Sequence, residues 1–295
     1  MSCIDILQVD PAALIGDEQL GSKSKFWFEH GDEKWLFKFA RDRTGEHWAE
    51  KIAAEVAAVM GVEAARVELA EYRGRPGAAS RSFVGPNESL VHGNEILAGQ
   101  LVGYDIHKKL KQTDHTIENI VEAIRRLADG ADWYHNVLED FAWYWVLDAL
   151  IANTDRHHEN WGFIVWEGEG GQSPFRLAPS FDHASSLGRE ILSDNADKIL
   201  NDPAGVDRYV KRGHGGIYWT STDPRGANPL HLVELAAQRY PRYLRAPLQA
   251  VANTPIEKLT RIVDEVPLSV MTPPSRRLAK AILAYSHRFI SGWAP

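Results

Sequence analysis

A long apolar helix that runs directly into a polar loop is the feature that most constrains this fold. The sequence predicts a helix from residue 134 to 151, and Asp148 is the one charged residue between 141 and 152. A helix that is apolar around most of its circumference must be covered by other elements. The segment therefore predicts the buried centre of a helical lobe. It ends in a loop in which every side chain is polar, Asn153-Thr154-Asp155-Arg156-His157-His158-Glu159-Asn160.

The first third of the chain has the pattern of strands around one helix. Two aromatic-rich runs within residues 25–39 are joined by a short polar turn, which indicates a β-hairpin. Apolar residues recur at helical spacing over 46–60, and a glycine follows. Alternating runs at 67–72 and 79–84 predict a second strand pair, with its turn at 73–77.

The remainder of the chain is predicted to be mostly helical. Helices are expected at 117–127 and in the tail, near 230–238, 255–264 and 275–290. We therefore predict an α+β fold with two lobes. Residues 1–98 are expected to form a small β-rich N-terminal lobe, and residues 99–295 a larger helical C-terminal lobe.

Composition narrows the classes of function. The chain has 33 Lys and Arg against 40 Asp and Glu, a net charge of −7. Proteins that bind nucleic-acid phosphates are expected to carry the opposite balance, so we expect no direct nucleic-acid binding. The single cysteine excludes a cysteine-based zinc site. Without an apolar run of about 18 residues or a basic and apolar N-terminal leader, the sequence predicts a cytoplasmic protein with no membrane partner.

Three polar residues have the chemistry that phosphoryl transfer from ATP requires. One carboxylate must orient or deprotonate the acceptor hydroxyl, and an Asn and a second Asp must hold magnesium against the phosphates. Magnesium prefers oxygen ligands and usually takes one or two carboxylates from the protein. Asp155, Asn160 and Asp182 occur in the order that these three roles have along the chain.

The pattern Asn153-x-Asp155-x-His157-x-x-Asn160, followed by Phe181-Asp182, resembles the catalytic and metal motifs of HipA-like serine/threonine kinases. This resemblance implies a protein-kinase-like fold and use of ATP and Mg²⁺. It implies that Asp155 is the catalytic aspartate, that Asn160 and Asp182 bind magnesium and that His157 belongs to the nucleotide site. It extends over about residues 18–290, a kinase core without an extra N-terminal subdomain.

A kinase also needs a strand lysine for the nucleotide phosphates and a helix glutamate to pair with it. Lys38 lies within the aromatic run that ends at residue 39, where a lysine is costly unless it faces a cleft and finds a partner. We choose Glu50 as that partner. Glu46 and Glu55 are the competing choices on the same predicted helix.

The segment before the first aromatic run is where HipA-like kinases have a phosphate-covering loop. Their pattern is Gly-x-Gln-x-Lys, and this chain has Gly21-Ser22-Lys23-Ser24-Lys25, with Lys23 in the Gln position. Backbone N–H groups and cations in such a loop would bind phosphate. Some family members are silenced by autophosphorylation of a serine before this glycine. Because residues 17–20 contain no serine, we expect Ser22 or Ser24 to take that role.

Several alternatives remain open. The acceptor is expected to be a protein Ser or Thr, and a toxin role would imply a separately encoded antitoxin as partner. A small-molecule kinase of the aminoglycoside type keeps the same motifs. A pseudokinase would keep the fold without the chemistry. A metal-dependent phosphohydrolase would use a histidine and aspartate cluster, here His157, His158, Asp182 and His183.

Overall fold

The computed structural model describes residues 3–17, 24–108, 111–168 and 174–294. The chain forms two compact units that are each discontinuous in sequence. The first comprises residues 1–83, 182–209 and 255–285, and the second comprises residues 84–181, 210–254 and 286–295.

The first unit is built on a six-stranded sheet. Its strands lie in the order β1-β5-β6-β4-β3-β2. Only the β1–β5 pair is parallel among the strand pairs of this described sheet. The strands are β1 (Ile6–Gln8), β2 (Leu14–Asp17), β3 (Lys25–His30), β4 (Glu33–Phe39), β5 (Val67–Tyr72) and β6 (Arg75–Arg81).

One face of this sheet is an aromatic core. Side chains alternate between the two faces of a strand, so Phe26 and Phe28 on β3 meet Trp35 and Phe37 on β4. The rings of Phe26 and Phe37 stack with their centroids 5.1 Å apart. The same alternation directs Lys38 to the opposite face from Phe37, away from this core.

The helix α1 (Glu46–Met60) packs against β5 and β6. Its bounds are those predicted, and Gly61 ends it in the left-handed conformation, with φ of 72°. The other helices of this unit are α5 (Ser193–Asn201), α9 (Ile256–Glu265) and most of α10 (Pro273–Ser291), while α6 (Gly205–Arg212) passes from the first unit to the second.

The second unit surrounds α4 (Tyr134–Leu150). This helix packs against neighbouring helices and against a strand of a three-stranded sheet, and its residues from 144 to 150 are all buried. The predicted buried helix is therefore confirmed. The other elements are α2 (Gly93–Gln100), α3 (Ile117–Leu127), α7 (Pro229–Arg239), α8 (Pro241–Asn253), β7 (Glu88–His92), β8 (Gly162–Trp166) and β9 (Phe175–Leu177), with the strands in the order β7-β8-β9.

Two sequence-based boundaries differ from the structure. The turn expected over 73–77 consists of Arg73 and Gly74 alone, both at positive φ, and β6 begins at Arg75. The compact units also differ from the predicted lobes 1–98 and 99–295, because residues 182–209 and 255–285 pack with the N-terminal sheet and α1. The division into functional lobes at residue 98 stays a prediction.

Among the described residues, every helix is either too short or too polar to span a lipid bilayer.

Candidate active site

The first unit brings Lys38, Glu50 and Asp182 together. Lys38 Nζ lies 3.0 Å from Glu50 Oε1 and 3.3 Å from Asp182 Oδ1. The Glu50 side chain is only 3% exposed and that of Lys38 12% exposed. The expected ion pair is thus present. The two competing glutamates have other partners, since Glu55 pairs with Lys51 and Glu46 pairs with two arginines.

The charge of Lys38 is stabilised by its neighbours. Burial of the ammonium group opposes ionisation, but the carboxylates of Asp182 and Glu50 outweigh burial and raise the pKa of Lys38 above its ordinary value. Lys38 is therefore a permanent cation at neutral pH. A fixed positive charge beside a carboxylate suits an anionic group that arrives together with a metal ion.

Asp182 lies on a strained backbone. Its φ is 58°, in the left-handed region that non-glycine residues seldom adopt. Such a conformation costs about 1–3 kcal/mol and is concentrated at functional sites. The Asp182 side chain is 35% exposed, so its carboxylate is open to solvent as well as to Lys38.

The polar loop after α4 belongs to the second unit and presents an exposed Asp155. The Asp155 carbonyl accepts from His157 N at 2.8 Å and from Asn160 Nδ2 at 2.7 Å. Its own N–H donates to Asn153 Oδ1. The backbone of Asp155 is therefore fixed, while the residue as a whole is exposed.

Asn160 is oriented by the same hydrogen bond. Because its amide nitrogen donates to the Asp155 carbonyl, Oδ1 is the amide atom suited to bind a cation. Asn160 is buried, whereas His157 is half-buried and accepts through Nδ1 from Glu159 N. Among the described residues, no group of three or more His, Cys, Asp and Glu side chains is arranged to hold a metal ion. The predicted magnesium ligands are only two residues, Asp182 and Asn160, and a pair of this kind is too small to count as such a group.

Arg156 is a central residue that the sequence interpretation missed. It is 2% exposed and donates to both carboxylate oxygens of Asp148, through Nε and Nη2, each at 2.8 Å. The Arg156 guanidinium also donates to the carbonyls of Asn160 and Phe181 and to Ser180 Oγ. It thus ties α4, the polar loop and the two residues before Asp182 into one network. The signal was Asp148, an acid within an apolar helix that required a cation nearby.

A glycine-rich segment also packs against the polar loop. A Cβ on Gly216 would lie 2.7 Å from His157 N and 2.8 Å from the carbonyl carbon of Arg156. Only a glycine allows the two backbones to approach this closely. His115 holds the same glycine by hydrogen bonding through Nδ1 to its carbonyl at 2.8 Å.

The phosphate-loop prediction lies partly outside the described residues. Gly21, Ser22 and Lys23 belong to that part of the chain. Ser24 is exposed and precedes β3. Lys25 is the direct cross-strand partner of Lys38, so the two lysines share one face of the sheet.

Two of the histidines that the phosphohydrolase alternative would use, His158 and His183, are buried inside the protein. His158 is buried and its Nδ1 lies 2.8 Å from the hydroxyl of Tyr104. Burial and the nearby carboxylate of Asp114 raise the pKa of that tyrosine, which keeps it neutral. His183 is also buried, and its carbonyl accepts from Ser186 Oγ.

In the first unit a strand lysine is paired with a helix glutamate, and in the second unit an Asp and an Asn lie on a loop after a buried helix. Each of these features is typical of the class of kinase-like phosphotransferases. The sequence model of the HipA-like C-terminal domain matches residues 19–203. The chain belongs to the HipA-like family, and the resemblance seen in its motifs is confirmed.

Two known proteins illustrate the relationship. The serine/threonine-protein kinase CtkA of Helicobacter pylori is 26% identical over 157 residues, which is 52% of this chain and 45% of CtkA. The matched region thus spans less than half the length of this curated relative. The crystal structure of the H. pylori proinflammatory kinase CtkA aligns over 98% of both chains with a TM-score of 0.76 and 16% identity.

HipA from Shewanella oneidensis, solved with HipB and operator DNA, is more distant. It aligns over 97% of this chain and 65% of its own length, with a TM-score of 0.57 and 14% identity. Both structural matches confirm the predicted α+β, kinase-like fold class.

Proposed function

We propose that this protein is an ATP-dependent serine/threonine protein kinase. The observation that carries the proposal is the position of Lys38 between Glu50 and Asp182, at 3.0 and 3.3 Å. Binding of Mg-ATP by a kinase requires a strand lysine that is held by a helix carboxylate. It also requires a nearby carboxylate that can bind the magnesium ion.

In this proposal Lys38 binds the phosphates of the nucleotide and Glu50 holds the lysine side chain in place. Asp182 and Asn160 Oδ1 supply oxygen ligands for magnesium, which would neutralise charge on the phosphates. The backbone N–H groups and lysines of residues 21–25 cover the phosphates, and His157 contributes to the nucleotide site.

Asp155 serves the acceptor. Its carboxylate accepts a hydrogen bond from the substrate hydroxyl and orients the oxygen toward the γ-phosphorus. The new O–P bond forms as the bond from phosphorus to the bridging oxygen of ADP breaks, and the hydroxyl proton passes to Asp155. Two hydrogen bonds support this role by fixing the residue: the Asp155 N–H donates to Asn153 Oδ1, and Asn160 Nδ2 donates to the Asp155 carbonyl.

The relatives support a protein acceptor. CtkA is a serine/threonine-protein kinase, and HipA is a toxin–antitoxin component seen with HipB. We therefore include in the proposal a protein Ser or Thr substrate, a cytoplasmic site of action where ATP is present, and a separately encoded antitoxin as partner. Autophosphorylation of Ser22 or Ser24 is proposed as the route by which the kinase limits its own activity.

The test is incubation of the purified protein with γ-labelled ATP, Mg²⁺ and a bacterial lysate, followed by mass spectrometry of the labelled products. Label on Ser or Thr of a protein is expected. Label only on small molecules would favour the aminoglycoside-type alternative, and no label would favour a pseudokinase. Asp155→Asn and Asp182→Asn should each abolish the labelling. Asp129→Asn is the control for both variants, because Asp129 is exposed like Asp155 and lies at positive φ like Asp182 but is not part of the proposed site.

A further inference from the structure

We propose that Arg189 is a positioning residue, which holds the segment after Asp182 against α1 by binding Glu46. The expected effect of this contact on catalysis rests on the proposed kinase function. The link between Arg189 and Glu46 consists of contacts within the first unit.

The contact between Arg189 and Glu46 is short and shielded from solvent. Arg189 Nη1 lies 2.6 Å from Glu46 Oε1, and the Glu46 side chain is 3% exposed. A second bond joins the same two segments, because Gly45 N donates to the Arg189 carbonyl at 2.7 Å. Side chain and backbone therefore fasten this segment to the first turn of α1 at the same place.

The segment between Asp182 and Arg189 is braced internally. Arg189 Nη2 donates to Ser185 Oγ at 3.1 Å, and Ser186 Oγ donates to the His183 carbonyl at 2.7 Å. Leu187 and Gly188 both have positive φ, so the chain turns sharply here. A sharply turned segment with its own hydrogen bonds transmits the position of Arg189 to Asp182.

Glu46 affects the proposed site through Glu50, which lies one turn further along α1. Residues four apart on a helix lie on the same face, one turn above the other. A carboxylate fixed at Glu46 therefore fixes the rotation of the helix that presents Glu50 to Lys38. Lys38 in turn contacts Asp182, so the contacts form a closed ring through Glu50, Glu46, Arg189 and Asp182.

Arg41 is a weaker partner of the same carboxylate. Its guanidinium lies 3.4 Å from Glu46 and its side chain is 51% exposed, whereas the Arg189 side chain is 18% exposed. Exposed ion pairs contribute little to stability because solvent screens them. Arg189 is thus the dominant partner and the one that reaches the Asp182 segment.

Hydrogen–deuterium exchange of the nucleotide-free protein tests the link directly. Arg189→Gln is expected to speed exchange at residues 45–50 as well as at 183–190. Arg277→Gln is the control for loss of an ion pair of the same length, because Arg277 pairs at 2.6 Å with Asp197, which lies on α5 of the first unit. Unchanged exchange at 45–50 in Arg189→Gln would overturn the proposal.

Kinetics test the positioning role. Arg189→Gln is expected to lower kcat by about tenfold and Mg-ATP affinity by about tenfold, and each tenfold change corresponds to about 1.4 kcal/mol. KM for the protein acceptor is expected to stay unchanged. Arg189→Lys keeps the charge and should give intermediate values, which also covers the case of a Gln variant that fails to fold.

Arg189→Gln with a lower Tm but wild-type kcat and Mg-ATP affinity would reduce Arg189 to a stabilising residue and overturn the proposal. Absence of Mg-ATP binding by the wild-type protein would instead contradict the proposed kinase function, while the exchange experiment would still decide whether the link exists.

Discussion

Arg156 and Asp148 form a buried, bidentate ion pair that connects the helix α4 to the predicted catalytic loop. The exposed fractions of their side chains are 3% and 6%. Arg156 adjoins Asp155, and its remaining donors reach the carbonyls of Asn160 and Phe181. The pair therefore fixes the loop that carries Asp155 and, through Phe181, the start of the segment that carries Asp182.

Removing the cation from this pair should be costly. Arg156→Gln leaves the Asp148 carboxylate buried without a cation, although it keeps the hydrogen bond from Asn153 Nδ2 at 2.7 Å, and we expect the free energy of unfolding to fall by about 3–5 kcal/mol. Urea denaturation measures this. Arg126→Gln is the control, because its ion pair with Glu122 on α3 lies at the surface and is worth at most about 1 kcal/mol.

A double-mutant cycle sharpens the result. Asp148→Asn combined with Arg156→Gln should be less destabilised than the sum of the single variants, because the second change removes the unpaired charge. Strict additivity would contradict a direct interaction between the two side chains.

Gly216→Ala should disturb the predicted catalytic loop by steric contact alone. The added Cβ would meet backbone atoms of Arg156 and His157 at 2.7–2.8 Å, so one of the two segments must move. We expect destabilisation by about 1–3 kcal/mol, a lower kcat and weaker Mg-ATP binding, because the same loop carries Asp155 and the proposed nucleotide-site residues His157 and Asn160. Gly99→Ala on α2 is the control, since its Cβ meets nothing within 4 Å and the helix should gain stability. A Gly216→Ala protein with wild-type kcat would contradict the close packing.

Acid should destabilise the fold through His115. Burial lowers the pKa of His115 from 6.5 to about 3, and the hydrogen bond to the Gly216 carbonyl only partly offsets this effect. Trp161 Nε1 donates to His115 Nε2, which requires the neutral ring. In the unfolded chain the histidine regains its ordinary pKa. Its contribution to stability is therefore complete above pH 6.5 and is lost as the pH falls from 6.5 toward 3.

The slope of unfolding free energy against pH measures this contribution. A histidine that is protonated only in the unfolded state contributes about 1.4 kcal/mol per pH unit within that window. His115→Asn removes the titrating group, so the wild-type curve should be steeper than that of the variant between pH 4 and 6. His47, whose pKa burial lowers to about 4 despite the opposing charge of Glu46, remains in both proteins and contributes to the residual slope. Parallel curves would contradict the assignment.

The helices and the lysine partner were predictable because they depend on local pattern. The bounds of α1 and α3 follow from apolar residues at helical spacing, and a lysine within an aromatic strand had to find a carboxylate. Glu50 was the correct choice of partner over Glu46 and Glu55. Sequence spacing alone left those alternatives open, because helix rotation relative to the sheet decides among them.

Features that depend on chain segments far apart in sequence were not predictable. The strand β7 pairs with β8, which follows it by some seventy residues, and has no hairpin turn to announce it. Gly216 is required by a contact with residues 156 and 157 that no local pattern encodes. The Glu46–Arg189 pair joins residues 143 positions apart. Burial of opposite charges made such pairs necessary but did not identify the partners.

Calorimetric titration with Mg-ATP, combined with a phosphoryl-transfer assay on the same samples, tests the central claim most directly. The wild-type protein should bind Mg-ATP and label a protein acceptor. Asp155→Asn should bind Mg-ATP with wild-type affinity and lose transfer by orders of magnitude, because Asp155 serves the acceptor. Asp182→Asn should lose transfer and also weaken the magnesium-dependent part of binding, because Asp182 is the proposed metal ligand. Near-wild-type turnover in both variants would contradict the assignment of this chain as a kinase that uses these residues.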